Sequence, residues 1–297
     1  MGEEHYDVVI IGAGLSGVGM ACHLSRKCPR KTYLILEGRA AMGGTWDLFR
    51  YPGIRSDSDM FTFGYTFKPW ISSQNLADGP AIRNYIQEAA REHGVEKNIR
   101  YNAQVEGIAW DSPSATWTVS YTDKVSGVHK RVTCSFINGC TGYYNYEHGY
   151  EPEFNGRADF KGLLIHPQKW PENLDYRGKR VIVIGSGATA VTVVPEMAHD
   201  AAHVTMLQRS PTYMGHIPDQ DPIVNFLRKC FPEMWVYRIA RTIKISMMAL
   251  FFNLSRRFPN AINSASYLAI NRAPLVSIKH WPPWQTFHRT PSSVSTT

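Results

Sequence analysis

The sequence lacks most of what would mark a secreted, metal-bound or membrane-spanning protein. Its five cysteines, Cys22, Cys28, Cys134, Cys140 and Cys230, are an odd number, and no two stand at CxxC spacing. A disulfide framework, a metal site and a redox couple are all disfavoured, and reduced thiols are expected. No charged-then-apolar leader precedes the first strand-like run, and Tyr6 stands where a myristoylation signal needs Ser or Thr, so neither secretion nor a lipid anchor is expected. The most apolar stretch, 243–254, is bracketed by Lys244 and Arg256 and is too short to cross a bilayer. These absences predict a cytoplasmic protein. There is no dense Lys/Arg stripe either, so a formal charge of +7 over 297 residues disfavours nucleic acid as a partner while remaining compatible with small polyanionic ligands.

What is present is a pattern that occurs twice. With 43% hydrophobic residues the chain has material for two cores. Tyr6 to Ile11 reads as a buried strand, Leu15 to Lys27 as a helix and Thr32 to Glu37 as a second strand, together a βαβ unit. A helix is predicted over Ala81 to His93 with Gly94 at its C-terminal cap. Trp117 to Thr122 and Val128 to Ile137 read as a β-hairpin. After a polar connector, Arg180 to Ile184 and His203 to Gln208 flank a second glycine turn about 175 residues beyond the first. The predicted fold class is α/β with two Rossmann-like dinucleotide-binding domains. The expected division is a first domain over 1–146, a linker over 147–179, a second domain with a helical insertion over 180–260, and an atypical, disordered tail over 261–297.

The first glycine run, Gly12-Ala-Gly14-Leu-Ser16-Gly17, falls between strand and helix, where glycines allow a tight turn and let a pyrophosphate approach N–H groups at the helix start. Glu37, about 20 residues on, ends the next strand and suits a ribose hydroxyl. The second run, Gly185-Ser186-Gly187-Ala188-Thr189-Ala190, repeats the design, but its following strand leads to Arg209-Ser210. A guanidinium and a hydroxyl there suit a 2′-phosphate. The residues thus predict FAD at the first turn and NADPH at the second, against the plainer reading of Arg209 as a solvated strand-end charge.

Between the turns lies Phe160-x-Gly162-x-x-x-His166-x-x-x-Trp170-Pro171. With this fingerprint the sequence resembles the Baeyer-Villiger monooxygenases, most closely the subclass that oxidises the thioamide ethionamide, from about Tyr6 to Phe258. The stretch Gly43-Gly-Thr45-Trp46-Asp47-Leu48-Phe-Arg-Tyr51-Pro52-Gly53-Ile-Arg55-Ser56-Asp57 carries the same likeness, as does Cys140-Thr-Gly-Tyr-Tyr144. The resemblance implies that Thr45, Trp46, Asp47 and Leu48 line FAD, that Arg55, Ser56 and Asp57 sit where flavin and nicotinamide meet, and that Val105 touches the adenine end. It makes His166 a coupling residue in place of a catalytic base.

In that family NADPH reduces the flavin and dioxygen adds at the flavin C4a carbon, giving a peroxide that inserts one oxygen into a ketone or transfers it to a sulfide or thioamide sulfur. Asp57 is the catalytic candidate. Its arginine partner, which the family supplies after the second turn, has no identified counterpart here: 88 residues follow Arg209, and Arg289 is poorly framed. The expectation is therefore a C-terminally truncated chain whose first domain lacks its closing segment. An N-hydroxylating monooxygenase shares both glycine turns but not the fingerprint, and a disulfide reductase needs a cysteine pair beside Gly43 to Gly53 that is missing. A non-catalytic, nucleotide-binding remnant is the reading from another class. Peripheral membrane attachment through Arg238, Arg241 and Lys244 beside Met247 to Phe252 is possible, with packing of that helix on its own domain favoured.

Overall fold

A six-stranded sheet and a separate strand pair organise the chain in the computed structural model, which describes residues 4–208 and 220–260. The tail at 261–297 and the pair Arg209-Ser210 lie outside the described residues. In chain order the elements are β1 (Glu4–Ile11), α1 (Leu15–Lys27), β2 (Tyr33–Leu36), α2 (Thr45–Leu48), α3 (Met60–Phe63), α4 (Gly79–Glu92), β3 (Ile99–Arg100), β4 (Ala103–Asp111), β5 (Thr116–Asp123), β6 (His129–Gly139), β7 (Arg180–Ile184), α5 (Ala188–Met197), β8 (His203–Leu207), α6 (Pro222–Leu227) and α7 (Glu233–Arg257).

The larger sheet runs β3-β2-β1-β6-β5-β4. Val8, Val9 and Ile10 are buried in succession, the signature of a parallel strand covered on both faces. β1 accordingly pairs in parallel with β2 on one side and β6 on the other. Helices α1 and α4 pack on one face, where Val18, Cys22, Ile82 and Ile86 join Ile10 and Ile35 in the largest apolar cluster. Asp78 starts α4 by accepting from Ala81 N at 2.7 Å, and Pro80 fits the first turn because it needs no N–H there. Gly94, at φ +63°, takes the chain off its C-terminus.

The expected hairpin is in fact two-thirds of a three-stranded antiparallel meander, since β4 pairs with β5 as β5 does with β6. The register of β4 shifts between Val105 and Gly107, and most of its residues are exposed. The bulge breaks the alternation by which a strand is read. β6 pairs with β1 as far as Gly139, but with β5 only from His129 to Cys134. Its last residues therefore show an unpaired edge among the described residues, and Phe136 there is 71% exposed.

The second unit repeats the first in miniature, with β7 and β8 parallel and α5 packed on them through Val193, Val194 and Met197. Ile182, Ile184 and Leu207 on the other face are more than half exposed. Although the sequence places α6 and α7 with this second unit, Val224, Val236, Tyr237 and Ala240 are buried in the core of the first. Arg241 donates to the carbonyls of Phe61, Thr62 and Gly64 at 2.7, 3.0 and 3.0 Å, capping the C-terminal end of α3. Lys244 still pairs with Asp221 at 2.9 Å, but beyond it the expected packing of α7 on its own domain is not seen among the described residues: Met247, Met248, Leu250, Phe251 and Phe252 are all exposed. No helix among the described residues is long and apolar enough to cross a membrane.

Two outcomes test this account. Replacing Arg241→Met removes a charged donor shared by three carbonyls and should lower stability by about 2 kcal/mol, measured by urea unfolding. In β1, Asp7 accepts from Lys31 Nζ and from the Thr32 N–H and hydroxyl at 2.7–2.9 Å, contacts that hold its carboxyl at about 2 against an ordinary 3.8. Because the folded value is the lower one, the stabilisation is complete above the unfolded value and disappears as pH falls through the folded one. The wild type should outlast Asp7→Asn at neutral pH, and the gap should close between about pH 4 and about pH 2.

Candidate functional site

Both glycine turns are fastened in the same way. The N–H of Gly12 bonds the carbonyl of Leu36, the last residue of β2, at 2.8 Å, and the N–H of Gly185 bonds that of Leu207, the last residue of β8, also at 2.8 Å. Helices α1 and α5 then begin at Gly14 and Gly187 with no side-chain cap, whereas Asp59, Asp78 and Asp221 cap α3, α4 and α6. Uncapped N–H groups at a helix start carry partial positive charge and suit an anionic oxygen.

The first turn is crowded. Gly12, at φ +103°, has the Cys140 carbonyl 2.5 Å from where a Cβ would stand, and a Cβ on Gly17 would overlap the Gly12 carbonyl. Gly44, the cap of α2, faces the same turn: its Cβ would lie 3.0 Å from Gly14 Cα and 3.4 Å from the Tyr146 hydroxyl. Two uncapped helix starts, α1 and α2, thus converge. Ser16 is exposed on the first turn of α1.

Glu37 is buried and accepts from Ala13 N at 2.7 Å and Arg39 N at 2.9 Å. Its carboxylate locks the glycine turn to the end of β2, a role that spacing alone does not reveal. Beside it, Ala103 N donates to the Glu37 carbonyl at 2.8 Å, so Val105 follows on a strand that starts at the Glu37 strand end and packs in the second apolar cluster.

Thr45, Trp46, Asp47 and Leu48 form α2. Trp46 packs edge-on against Phe63 with ring centroids 5.7 Å apart. Asp47, 8% exposed at its side chain, pairs with Arg39 at 2.8 Å, Arg50 at 3.3 Å and Arg83 at 3.5 Å. One carboxylate against three guanidiniums leaves a surplus of positive charge beside the converging helix starts. Arg83 Nε is buried with no partner. An orphaned donor, uncapped helix starts and a glycine-lined approach are together what a dinucleotide pyrophosphate requires, so these residues fit such a group. Arg39, Arg50 and Arg83 are not marked by any sequence spacing, because Asp47 gathers them from the β2 exit, the turn after α2, and α4.

Ser56 is buried and bonds the Ser58 carbonyl at 2.9 Å, while Arg55 and Asp57 flank it exposed, without ion-pair partners among the described residues. The second turn is open among the described residues, none of which lies within 4 Å of a Cβ built on Gly185 or Gly187. Ser186 and Thr189 are half-buried, Ala188 is exposed and Ala190 is buried under α5. In the connector, His166 Nδ1 accepts from Gln168 N at 3.2 Å, and its ring lies where a side chain on Gly149 would be. Trp170 packs against the α5 cluster, while Phe160, Gly162 and Pro171 remain exposed. Of the fingerprint, His166 and Trp170 are the residues that fasten the connector, one at Gly149 and one on the α5 cluster. Among the described residues no cluster of His, Cys, Asp or Glu could hold a metal.

A sheet-bound glycine turn, repeated once, with a fixed aromatic connector between the two copies, defines a two-dinucleotide-fold flavoprotein. The model of the flavin-binding monooxygenase-like family matches residues 6–261, and the chain belongs to that family. It is 54% identical over 258 residues to the FAD-containing monooxygenase EthA of Mycolicibacterium smegmatis, covering 86% of this chain and 52% of that protein. It is 46% identical over 286 residues to a probable FAD-binding monooxygenase, AlmA, of Acinetobacter baylyi, covering 95% and 57%. The chain therefore spans about half the length of these relatives. Among solved structures it is similar to OTEMO in complex with FAD and NADP, at TM-score 0.60 and 31% identity over 70% of this chain and 40% of that one.

If Asp47 is what gathers the three arginines, Asp47→Ala should cost about 2–3 kcal/mol in thermal or urea unfolding. That is less than a fully buried pair would lose, because the guanidiniums reach solvent. Asp47→Asn, which keeps the shape and loses the charge, should cost most of the same amount.

Proposed function

We propose that this chain binds FAD at the Gly12–Gly17 turn and NADPH at the Gly185–Ala190 turn. In a polypeptide of its relatives' length it would serve an FAD- and NADPH-dependent monooxygenase that inserts one atom of dioxygen into a ketone or onto a sulfide or thioamide sulfur. The observation that carries this is the repeated turn: two strand-end glycines fastened by the same backbone bond, each followed by an uncapped helix.

At the first site, Gly14, Ser16 and Gly17 would offer N–H groups to the pyrophosphate, Gly12 would let the turn close beneath it with its own N–H held by Leu36, and Arg39 and Arg83 would supply counter-charge. Thr45, Trp46 and Leu48 would line the group further along, and Val105 would flank its adenine end. Glu37, already accepting two N–H groups, has remaining lone pairs for a ribose hydroxyl. At the second site Gly185 to Ala190 would take the other pyrophosphate, and Arg209 with Ser210 a 2′-phosphate. FAD would supply the activation of dioxygen, and NADPH the hydride. The protein's part would be to hold both dinucleotides, to exclude water, and to keep the charges of Arg55 and Asp57 between them, where neither has an ion-pair partner among the described residues.

A second reading, a nucleotide-binding protein without turnover, draws on the unpaired end of β6 and on the bare apolar face of β7 and β8. The two readings separate in one experiment. The purified chain is titrated with FAD, then mixed anaerobically with NADPH and afterwards with oxygenated buffer containing a cyclic ketone or a thioamide. Stoichiometric FAD, bleaching of the visible flavin band by NADPH and formation of oxygenated product would support the enzyme. FAD and NADPH binding without product would favour the second reading, and failure to bind FAD at micromolar concentration would sink both.

A further inference from the structure

We infer that Tyr51 is a positioning residue which ties the first site's Gly43 to Asp57 stretch to the second glycine turn. The inference rests on the reading of that second turn as a nicotinamide-dinucleotide site. Tyr51 belongs to no glycine motif, and it lies within the segment that leads from α2 to Arg55, Ser56 and Asp57. Its ring packs against the α5 cluster of Val193, Val194 and Met197, which Trp170 of the connector also joins. Its hydroxyl faces the side chain of Thr189, the second residue of α5, within hydrogen-bonding reach, and burial raises the phenol above its ordinary pKa.

A second contact fixes the same segment. Gly53 has φ +72°, and a Cβ there would collide with Glu196 Cγ near the far end of α5. The segment therefore meets α5 at two points seven residues apart in its sequence, Thr189 and Glu196. Two contacts fix the helix along its length, where one would leave it free to pivot. The uncapped start of α5 is thereby set relative to Asp57, whose charge is felt at the Tyr51 phenol. The hydroxyl pair is well placed to hold the second turn at the angle a dinucleotide needs, and the fingerprint's Trp170 packs from the connector side of the same cluster.

The coupling predicts a specific pattern in binding, which needs no turnover. With the FAD-loaded protein, NADP+ affinity is measured by calorimetry for wild type, Tyr51→Phe, Thr189→Val, the double variant, and Thr189→Ser, which keeps the hydroxyl. Each of the first two single changes should weaken NADP+ binding about three- to tenfold, the worth of one partly buried hydrogen bond. The double variant should be no weaker than the weaker single, because both remove one interaction. Thr189→Ser should lie close to wild type, and FAD affinity should stay constant in Tyr51→Phe. Gly53→Ala, acting at the other contact, should weaken NADP+ as well. Wild-type affinity in Tyr51→Phe, or single losses that multiply in the double variant, would overturn the coupling. A parallel loss of FAD in Tyr51→Phe would show a merely structural role and overturn it too. Wild-type protein that binds FAD but no NADP+ would instead strike the assignment of the second turn, and the coupling with it.

Discussion

The carbonyl of Cys140 presses on Gly12 so closely that no side chain fits between them, and the geometry of the first site follows from that contact. Gly12 follows β1, Cys140 follows β6, and the N–H of Cys140 bonds the Ile11 carbonyl at 2.8 Å. The two central strands therefore leave the sheet together. Cys140 then leads into Tyr143, Tyr144 and Tyr146. The Tyr144 ring rests on Phe49 with centroids 5.0 Å apart, and burial together with Tyr143 pushes its phenol up to about 12. A side chain at position 12 would displace the β6 exit, and with it the aromatic wall that meets Gly44. The glycine is needed for the backbone packed on its own side as much as for a ligand.

Electrostatics completes what this close packing begins. A glycine turn offers only partial charges, and the α1 N-terminus contributes roughly half an elementary charge. The arginines around Asp47 supply whole charges, but three unpaired guanidiniums beside a buried loop would repel one another in the absence of a ligand. Asp47 neutralises one equivalent and fixes the geometry of all three. The site remains cationic yet tolerable when empty, a compromise that a neutral residue at 47 would not give.

The legible parts of the sequence were those governed by local rules. The limits of α1 and β7 and the two glycine turns follow from periodicity and from residues that only certain backbone angles accept. What stayed hidden depends on distant partners. β4 was obscured by a bulge and by exposure. The docking of α6 and α7 on the first core reverses the assignment that chain order suggests, because Arg241 finds carbonyls some 180 residues upstream. Glu37 was found by spacing, but its bonds to Ala13 and Arg39 required coordinates. Asp47 was singled out by family likeness as a lining residue, and its burial beneath three arginines reads instead as support for the loop.

The two turns differ in a way that bears on how they would be used. The first is closed by Cys140, Gly44 and Tyr146, and its two helix starts face each other, so a dinucleotide lodged there would be gripped by protein on several sides. The second has open space around Gly185 and Gly187 among the described residues, and its strand pair is bare on one face. Binding energy grows with such enclosure, and release slows accordingly. A flavin that must stay through many turnovers belongs in the closed site, and a nicotinamide that arrives, gives up its hydride and leaves belongs in the open one. The open turn has few neighbours among the described residues to define its orientation. The first site's segment reaches α5 through Tyr51 and Gly53, so on the proposed assignment the resident dinucleotide's binding loop would set the angle of the exchanging one's.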